Sequence, residues 1–325
     1  MSLSRRAALI SAFATSLFGL VGCANDQQTP SPSDSETPDP TRTPDTTPTP
    51  TNTADAADPL PEGIVNAIVI GTDSRDKTSY GGNTDAIMLA QISADRSELT
   101  LVSIARDTYL RGNKANSAYP AGGIELLKST VSEAFGGIDI HLTAHTNFNG
   151  FINITRWMEG ITVFNRHANT SLVISTGREV VFDEGEITLE NTDALIYARE
   201  RKALPNGDLD RAERHRALIT GLIKGLQKWN KRSPRTFATL ANHLVDQCQI
   251  SGIEKKDVPE LVNPLMKIET DKINSLMLPL SGFGMVNGQS VNMVDETKAN
   301  ALGEALRTGD VQSYIDKYGT EYTVG

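Results

Sequence analysis

Two kinds of side chain in this sequence have the types and spacing for phosphate chemistry. The first kind is a set of acids and arginines near the ends of apolar runs. Asp73 and Arg75 follow "IVNAIVIG", Asp85 opens "DAIMLAQI" twelve residues after Asp73, and Arg106-Asp107 follow "LTLVSIA". The second is a basic segment, "ARERKALPNGDLDRAERHR", with Arg199 and Arg201 on one side of a short loop and Arg211 and Arg214 on the other. Two carboxylates entering one crevice can hold Mg²⁺, which takes one or two carboxylates and completes its octahedron with water and phosphate oxygens. Arginine donates two parallel hydrogen bonds to phosphate. Each group alone also has a plainer reading. Asp73 and Asp85 suit turns, Arg106 suits a solvated strand end, and the basic segment suits an exposed helix face.

The elements that must position these groups can be read from periodicity. "IVNAIVIGTD" is a continuous apolar run, as in a central strand buried on both faces. "AIMLAQISA" and "ELTLVSIA", separated by "DRS", predict a hairpin beside it. Ile124, Leu127, Val131 and Phe135 recur at helical spacing after a glycine pair. "SLVIST" and "VVFDEGEITL" read as extended. "ENTDALIYARER" predicts a helix capped by Asn191 or Thr192, and "DLDRAERHRALITGLIKGLQKW" a long amphipathic one with Leu218, Ile219, Leu222 and Leu226 on one side. Arg214 and Arg216 are expected on its solvated side. Further helices are expected in "PRTFATLANHLVDQC", "VPELVNPLMKI" and "ETKANALGEALR", and strands in "INSLMLPL" and "SVNMV". Strands and helices mixed in this way predict an α/β class, a mixed central sheet sandwiched by helices.

The ends of the 325-residue chain are different in kind. Residues 1–23 read as an export signal: Arg5 and Arg6, the apolar run Ala7–Val21, then Gly22-Cys23. Leu20-Val21-Gly22-Cys23 has the form of a lipobox, which makes Cys23 the expected lipidation site. Ser4-Arg5-Arg6 leaves the Sec and twin-arginine routes both open. Residues 24–61 are Thr-, Pro-, Ser- and Asp-rich, too poor in apolar side chains to fold, and read as a spacer. Residues 62–310 are the expected catalytic domain and 311–325 a tail. The second cysteine, Cys248, lies in an apolar-periodic stretch and reads as a core thiol; no disulfide framework is expected. The net charge is -9, and no basic helix-turn-helix footprint accompanies it, which argues against nucleic acid as a partner.

Taken together, the motifs resemble the LytR-CpsA-Psr family of bacterial cell-wall ligases. "NAIVIGTDSR", "NTDAIMLAQI", "LTLVSIARDTYL", "NKANSAYPAGG…TNFNGF" and "LENTDALIYARERKALPNGDLDRAERHRALI" match that family's motifs in order, over roughly residues 62–308. The resemblance implies transfer of a glycopolymer from a polyprenyl-pyrophosphate carrier to peptidoglycan or a surface protein, outside the cytoplasmic membrane. It implies Asp73 and Asp85 as metal-linked acids, with Mg²⁺, or Mn²⁺ in its place, as cofactor. It also implies Arg75, Arg106, Lys114, Arg199, Arg201 and Arg211 around the pyrophosphate, and an apolar tunnel for the lipid between sheet and helices. Departures from the family pattern are Asn83, Ala86, Ala105 and His215.

The chemistry implied is attack by an acceptor hydroxyl on the sugar-linked phosphorus, with polyprenyl phosphate leaving. Arg106, Arg199 and Arg201 would stabilise the charge that develops on the oxygens, and Asp107 would orient Arg106. Two other classes stay open: a polyprenyl-pyrophosphate pyrophosphatase, with water as the acceptor, and a lipoprotein that binds polyprenyl phosphate without catalysis.

Overall fold

In the computed structural model, which describes residues 57–74 and 80–320, the first apolar run is strand β1 (Val65–Thr72) at the centre of a six-stranded sheet. In chain order there follow β2 (Thr84–Ile92), β3 (Leu99–Ser103), the short pair β4 (Tyr109–Leu110) and β5 (Asn113–Lys114), and helix α1 (Ala118–Ala134). Next come β6 (Leu142–Asn147), α2 (Phe148–Trp157), β7 (Ile161–Asn165), β8 (Asn169–Val173), β9 (Arg178–Phe182) and β10 (Gly185–Leu189). Helices α3 (Asn191–Arg199), α4 (Asp208–Arg232) and α5 (Pro234–Val245) precede β11 (Gln249–Ser251) and the single turn α6 (Val262–Leu265). The chain closes with β12 (Ile273–Met277), β13 (Leu280–Val286), β14 (Gln289–Val294), α7 (Glu296–Thr308) and α8 (Val311–Tyr318).

The sheet order is β11-β6-β1-β2-β3-β12. β1 pairs parallel with β6 and antiparallel with β2; β3 pairs antiparallel with β2 and parallel with β12. The carboxyl ends of β1, β3, β6 and β12 therefore share one edge with the amino end of β2. Crevices outside such ends are where open α/β sheets hold ligands.

Alternation along the strands fills both faces. Ile68, Ile70, Ile87 and Leu89 pack with Leu127, Val131, Leu302 and Leu306 from α1 and α7. Met88 and Leu101, with half-buried Val69, face the other way and meet Ile219 and Ile223 of α4. A third cluster joins α2, α3, α4 and α5 to the β7–β10 strands through Ile161, Val163, Tyr197 and Leu226. This is the expected mixed sheet between helical layers, buried on both faces.

Three local expectations need correction. The folded part begins before residue 62: Leu60 is buried, and Asp58 pairs with Arg96 at 2.8 Å. It also continues past residue 310. Residues 311–318 form α8, whose Val311 and Tyr314 are buried in the core, because apolar side chains recur there at helical spacing. The cap of α3 is Glu190, with no side-chain cap bond; Asn191 sits inside at φ 53°. The glycine pair does begin the apolar part of α1, as its sequence position suggested: Gly122 and Gly123 are non-helical and separate a short leading turn from the helix that carries Ile124, Leu127 and Val131. Gly123, at φ 65°, adopts a backbone that only glycine takes without strain.

Candidate active site

The sheet edge collects the first group of charges. Asp73 follows β1, and its Oδ1 accepts the Asn83 amide at 3.0 Å. Gly82, at φ 103°, passes so close that a Cβ there would run into Asp73 Oδ1. Asp85 sits at a register shift between β1 and β2, where Thr72 pairs with Thr84 and Gly71 with Ala86. Arg106 lies just beyond β3, and its Nη1 donates to Asp85 Oδ1. Asp85 joins the expected Asp107 in holding Arg106: Asp107 Oδ1 is 3.8 Å from Arg106 Nε and also takes a 3.0 Å hydrogen bond from Lys114 Nζ.

The basic segment supplies the second group. Glu200 ends α3 and folds the loop: its Oε1 accepts the amides of Arg201, Lys202 and Ala203 at 2.9, 2.9 and 3.2 Å. Asp208 opens α4 and bridges two arginines, Arg211 at 2.6 Å and Arg201 at 3.4 Å. An acid in the first helical turn also offsets the unfavourable place of Arg211 near a helix N-terminus. Arg211 is buried, which pushes its pKa down; Asp208 and Asp85 pull it back up. Arg199 lies over the ring of Phe148 at 4.6 Å from its centroid, a cation–π contact that fixes its direction.

The two groups meet at a cavity of about 110 Å³ between the sheet and α2, α3 and α4. Asp85, Arg199 and Arg211 line it together with apolar walls that include Val69, Met88, Phe151, Leu195, Leu218 and Ile219. His215 also lines it. Burial and the Arg211 charge bring the His215 imidazole down to about 4, so the ring is neutral at neutral pH. In the sequence His215 stands out only as a departure from a motif, and Phe148 carries no charge to flag it.

Not all expected residues gather here. Arg201 lies in the loop before α4, paired with Asp208, and Lys114 lies in β5, paired with Asp107; neither lines the cavity. Arg75 and Cys23 lie outside the described residues. Arg214 and Arg216 are not on a solvated face. They are 4% and 7% exposed, against the expectation, because α4 is enclosed on several sides. Arg214 Nη2 donates to Asn165 Oδ1, His167 O and Asn169 Oδ1 at 3.1, 3.0 and 2.6 Å, and its guanidinium stacks 4.1 Å over Tyr197. It is a fastening between α4 and the β7–β9 region. Arg216 Nε donates to Ser275 at 2.7 Å. Cys248, expected as a core thiol, is half-buried against the cluster of α2–α5 and β7–β10, and burial pushes its pKa up to about 11.

Asp73, just past β1, and Asp85, in β2, are oxygen donors of the kind a hard divalent cation takes, and the described contacts engage Oδ1 of each. Carboxylates beside arginines suited to phosphate are of the type that would suit Mg²⁺ when phosphate completes its shell.

Comparison with known proteins agrees with this geometry. The model of the LytR_cpsA_psr family matches residues 33–308. The polyisoprenyl-teichoic acid–peptidoglycan teichoic acid transferase TagU of Oceanobacillus iheyensis is 30% identical over 260 residues, covering 76% of this chain and 76% of that protein. TagU of Enterococcus faecalis is 29% identical over 256 residues, 74% of this chain and 78% of that one. Among solved structures, Bacillus subtilis TagV aligns with a TM-score of 0.64 at 21% identity, over 81% of this chain and 100% of TagV. TagT bound to LI-WTA aligns with a TM-score of 0.58 at 22% identity, over 76% of this chain and 90% of that one. The structural likeness establishes a shared fold, and the sequence match goes further: the chain belongs to the LytR_cpsA_psr family.

Proposed function

We propose that this protein transfers a glycopolymer from a polyprenyl-pyrophosphate carrier to a hydroxyl of peptidoglycan, or of a surface protein, on the outer side of the cytoplasmic membrane. The observation that carries the reading is the mixed lining of the cavity. Arg199, Arg211 and Asp85, which Arg106 holds, share it with aliphatic and aromatic side chains. A pyrophosphate with a long isoprenoid tail offers the same two kinds of surface.

The residues then divide the work. Arg106 and Arg199 hold pyrophosphate oxygens, with Arg211 behind them and Arg201, Lys114 and Arg75 as outer cations. The acceptor oxygen attacks the phosphorus next to the sugar, and the bond to the polyprenyl phosphate oxygen breaks. The proton of the attacking hydroxyl passes to an acceptor in the site or to solvent, and the leaving phosphate stays charged against the arginines. Guanidinium groups already held by Asp85, Asp208 and Phe148 stabilise that charge with little reorganisation. Asp85 keeps Arg106 in place. Asp73 and Asp85 would hold Mg²⁺, which when bound supplies further charge neutralisation at the phosphates. Cys23 would carry the lipid that keeps the enzyme at the membrane, with residues 24–56 as the spacer.

The test uses purified lipid-linked glycan, with and without peptidoglycan. Transfer that depends on peptidoglycan supports a ligase. Equal consumption of donor in both arms identifies a pyrophosphatase, and no consumption in either identifies a binding protein.

A further inference from the structure

The second half of α4 carries an unbalanced positive charge that the candidate active site does not use. Lys224, Lys228, Lys231 and Arg232 are exposed, as is Arg235 at the start of α5. Among the described residues, one carboxylate pairs with this group: Glu159, 3.7 Å from Arg232, with both side chains largely in water. Cations in a last helical turn offset the helix dipole, which accounts for Lys231 and Arg232. Lys224 and Lys228 lie further in, beyond the reach of that effect. On one side the cations share a hollow with Glu159, Glu186 and Glu213. On the other they line an open hollow of about 540 Å³ formed by Lys224, Gln227, Lys228, Lys231, Arg232 and Thr270, with no carboxylate. This stands out in a chain of net charge -9.

The position of the patch along α4 gives it a meaning. Cavity-lining residues follow one another down the helix from polar to apolar: Arg211, His215, Leu218, Ile219. At 1.5 Å per residue, Lys224 lies about 20 Å and Arg232 about 32 Å beyond Arg211 along the helix axis. An isoprenoid chain with its phosphate at Arg211 and its tail along these walls points toward the basic end. The tail of a membrane lipid points toward the membrane.

We propose that Lys224, Lys228, Lys231, Arg232 and Arg235 form a docking surface for an anionic lipid bilayer, which turns the apolar end of the cavity toward the membrane. This rests on reading the cavity as a polyprenyl site. The partner is a plane of phosphate headgroups, and the contact is electrostatic and weakened by salt.

The test is vesicle binding by the full chain carrying Cys23→Ser, on phosphatidylcholine alone and on phosphatidylcholine mixed with phosphatidylglycerol. The neutral vesicles measure any binding by the apolar N-terminus. A basic residue at an anionic surface contributes about fivefold, equivalent to about 1 kcal/mol. The K224E/K228E/K231E variant, with unchanged thermal melting, is expected to lose about a hundredfold of the anionic preference and to match the parent on neutral vesicles. A variant that keeps the preference, or a parent that shows none, overturns the proposal. So does tighter binding of soluble poly(glycerol phosphate) than of anionic vesicles, lost in the same variant, because the surface would then be a polymer site. Donor turnover in detergent separates this from the catalytic reading. The lysine variant should retain it, and failure of the parent to turn over donor counts against the catalytic reading, whatever the vesicles show.

Discussion

His215 Nε2 lies 2.8 Å from the carbonyl oxygen of Ala198. A carbonyl only accepts, so Nε2 carries the proton and the ring is the neutral tautomer with Nδ1 bare. This one bond ties the last turn of α3, where Arg199 follows Ala198, to the first turns of α4, where Arg211 precedes His215 by one turn. Two arginines from different helices are thereby held in one relation. His215→Ala should lower transfer about tenfold or more, by loosening that relation, while His215→Gln, which can still donate to the carbonyl, should recover most of it. Equal rates for the two variants would show that the bond has no positioning role.

The same histidine, with His145, makes stability depend on pH. His145 is buried against Thr72 at 3.0 Å and between the rings of Tyr80 and Tyr119, and burial brings it down to about 4 as well. Unfolded histidine titrates near 6.5. Between these values the unfolded chain binds protons that the folded chain does not. Stability is therefore complete above about pH 6.5 and falls as pH drops toward 4, by about 1 to 3 kcal/mol per histidine. Urea unfolding at neutral and mildly acidic pH should show the decline, with a shallower decline in His145→Gln and His215→Gln.

Arg106→Ala and Arg199→Ala should each reduce transfer about a hundredfold or more, the scale of losing one fixed donor to a developing oxyanion. Both side chains lie at the surface of the site rather than in the core, so thermal melting should move little. Wild-type transfer by either variant would remove these residues from the mechanism.

Asp85→Asn tests two roles together. Loss of the negative charge frees Arg106 and weakens a metal held between Asp73 and Asp85. The expected result is lower transfer and a higher Mg²⁺ concentration at half-maximal rate. An unchanged Mg²⁺ dependence in both Asp85→Asn and Asp73→Asn would rule out a metal held by this pair.

Arg214→Met should act on folding. It removes a buried cation that organises Asn165, Asn169 and the His167 carbonyl. Breaking such a network costs about 3 kcal/mol or more, and Tm should fall on the order of 10 °C. Arg201→Ala, at an exposed position, should leave Tm within about 2 °C. Comparable Tm changes in the two variants would contradict this division.

Much of the architecture was already legible in local pattern. The run through Val65–Thr72 lacks polar alternation because both of its faces are covered. The Leu218–Leu226 stripe of α4 announced which side would meet the core. Asp73, Asp85 and Arg106 could be assigned to strand ends because a strand's apolar run stops where the chain leaves the sheet, and that is local information. The sequence by itself therefore determined the sheet-and-helix class, the acids and arginines at the strand ends, and the family. Tertiary structure alone decided which charges work together. Asp85, which is remote in sequence, holds Arg106 together with the adjacent Asp107, because β2 lies beside the end of β3. Arg211 faces the cavity while Arg214, three residues later, is locked among Asn165, Asn169 and Tyr197. A helix enclosed on several sides buries cations on more than one face, and the partners that neutralise or hold them come from residues far away in the chain.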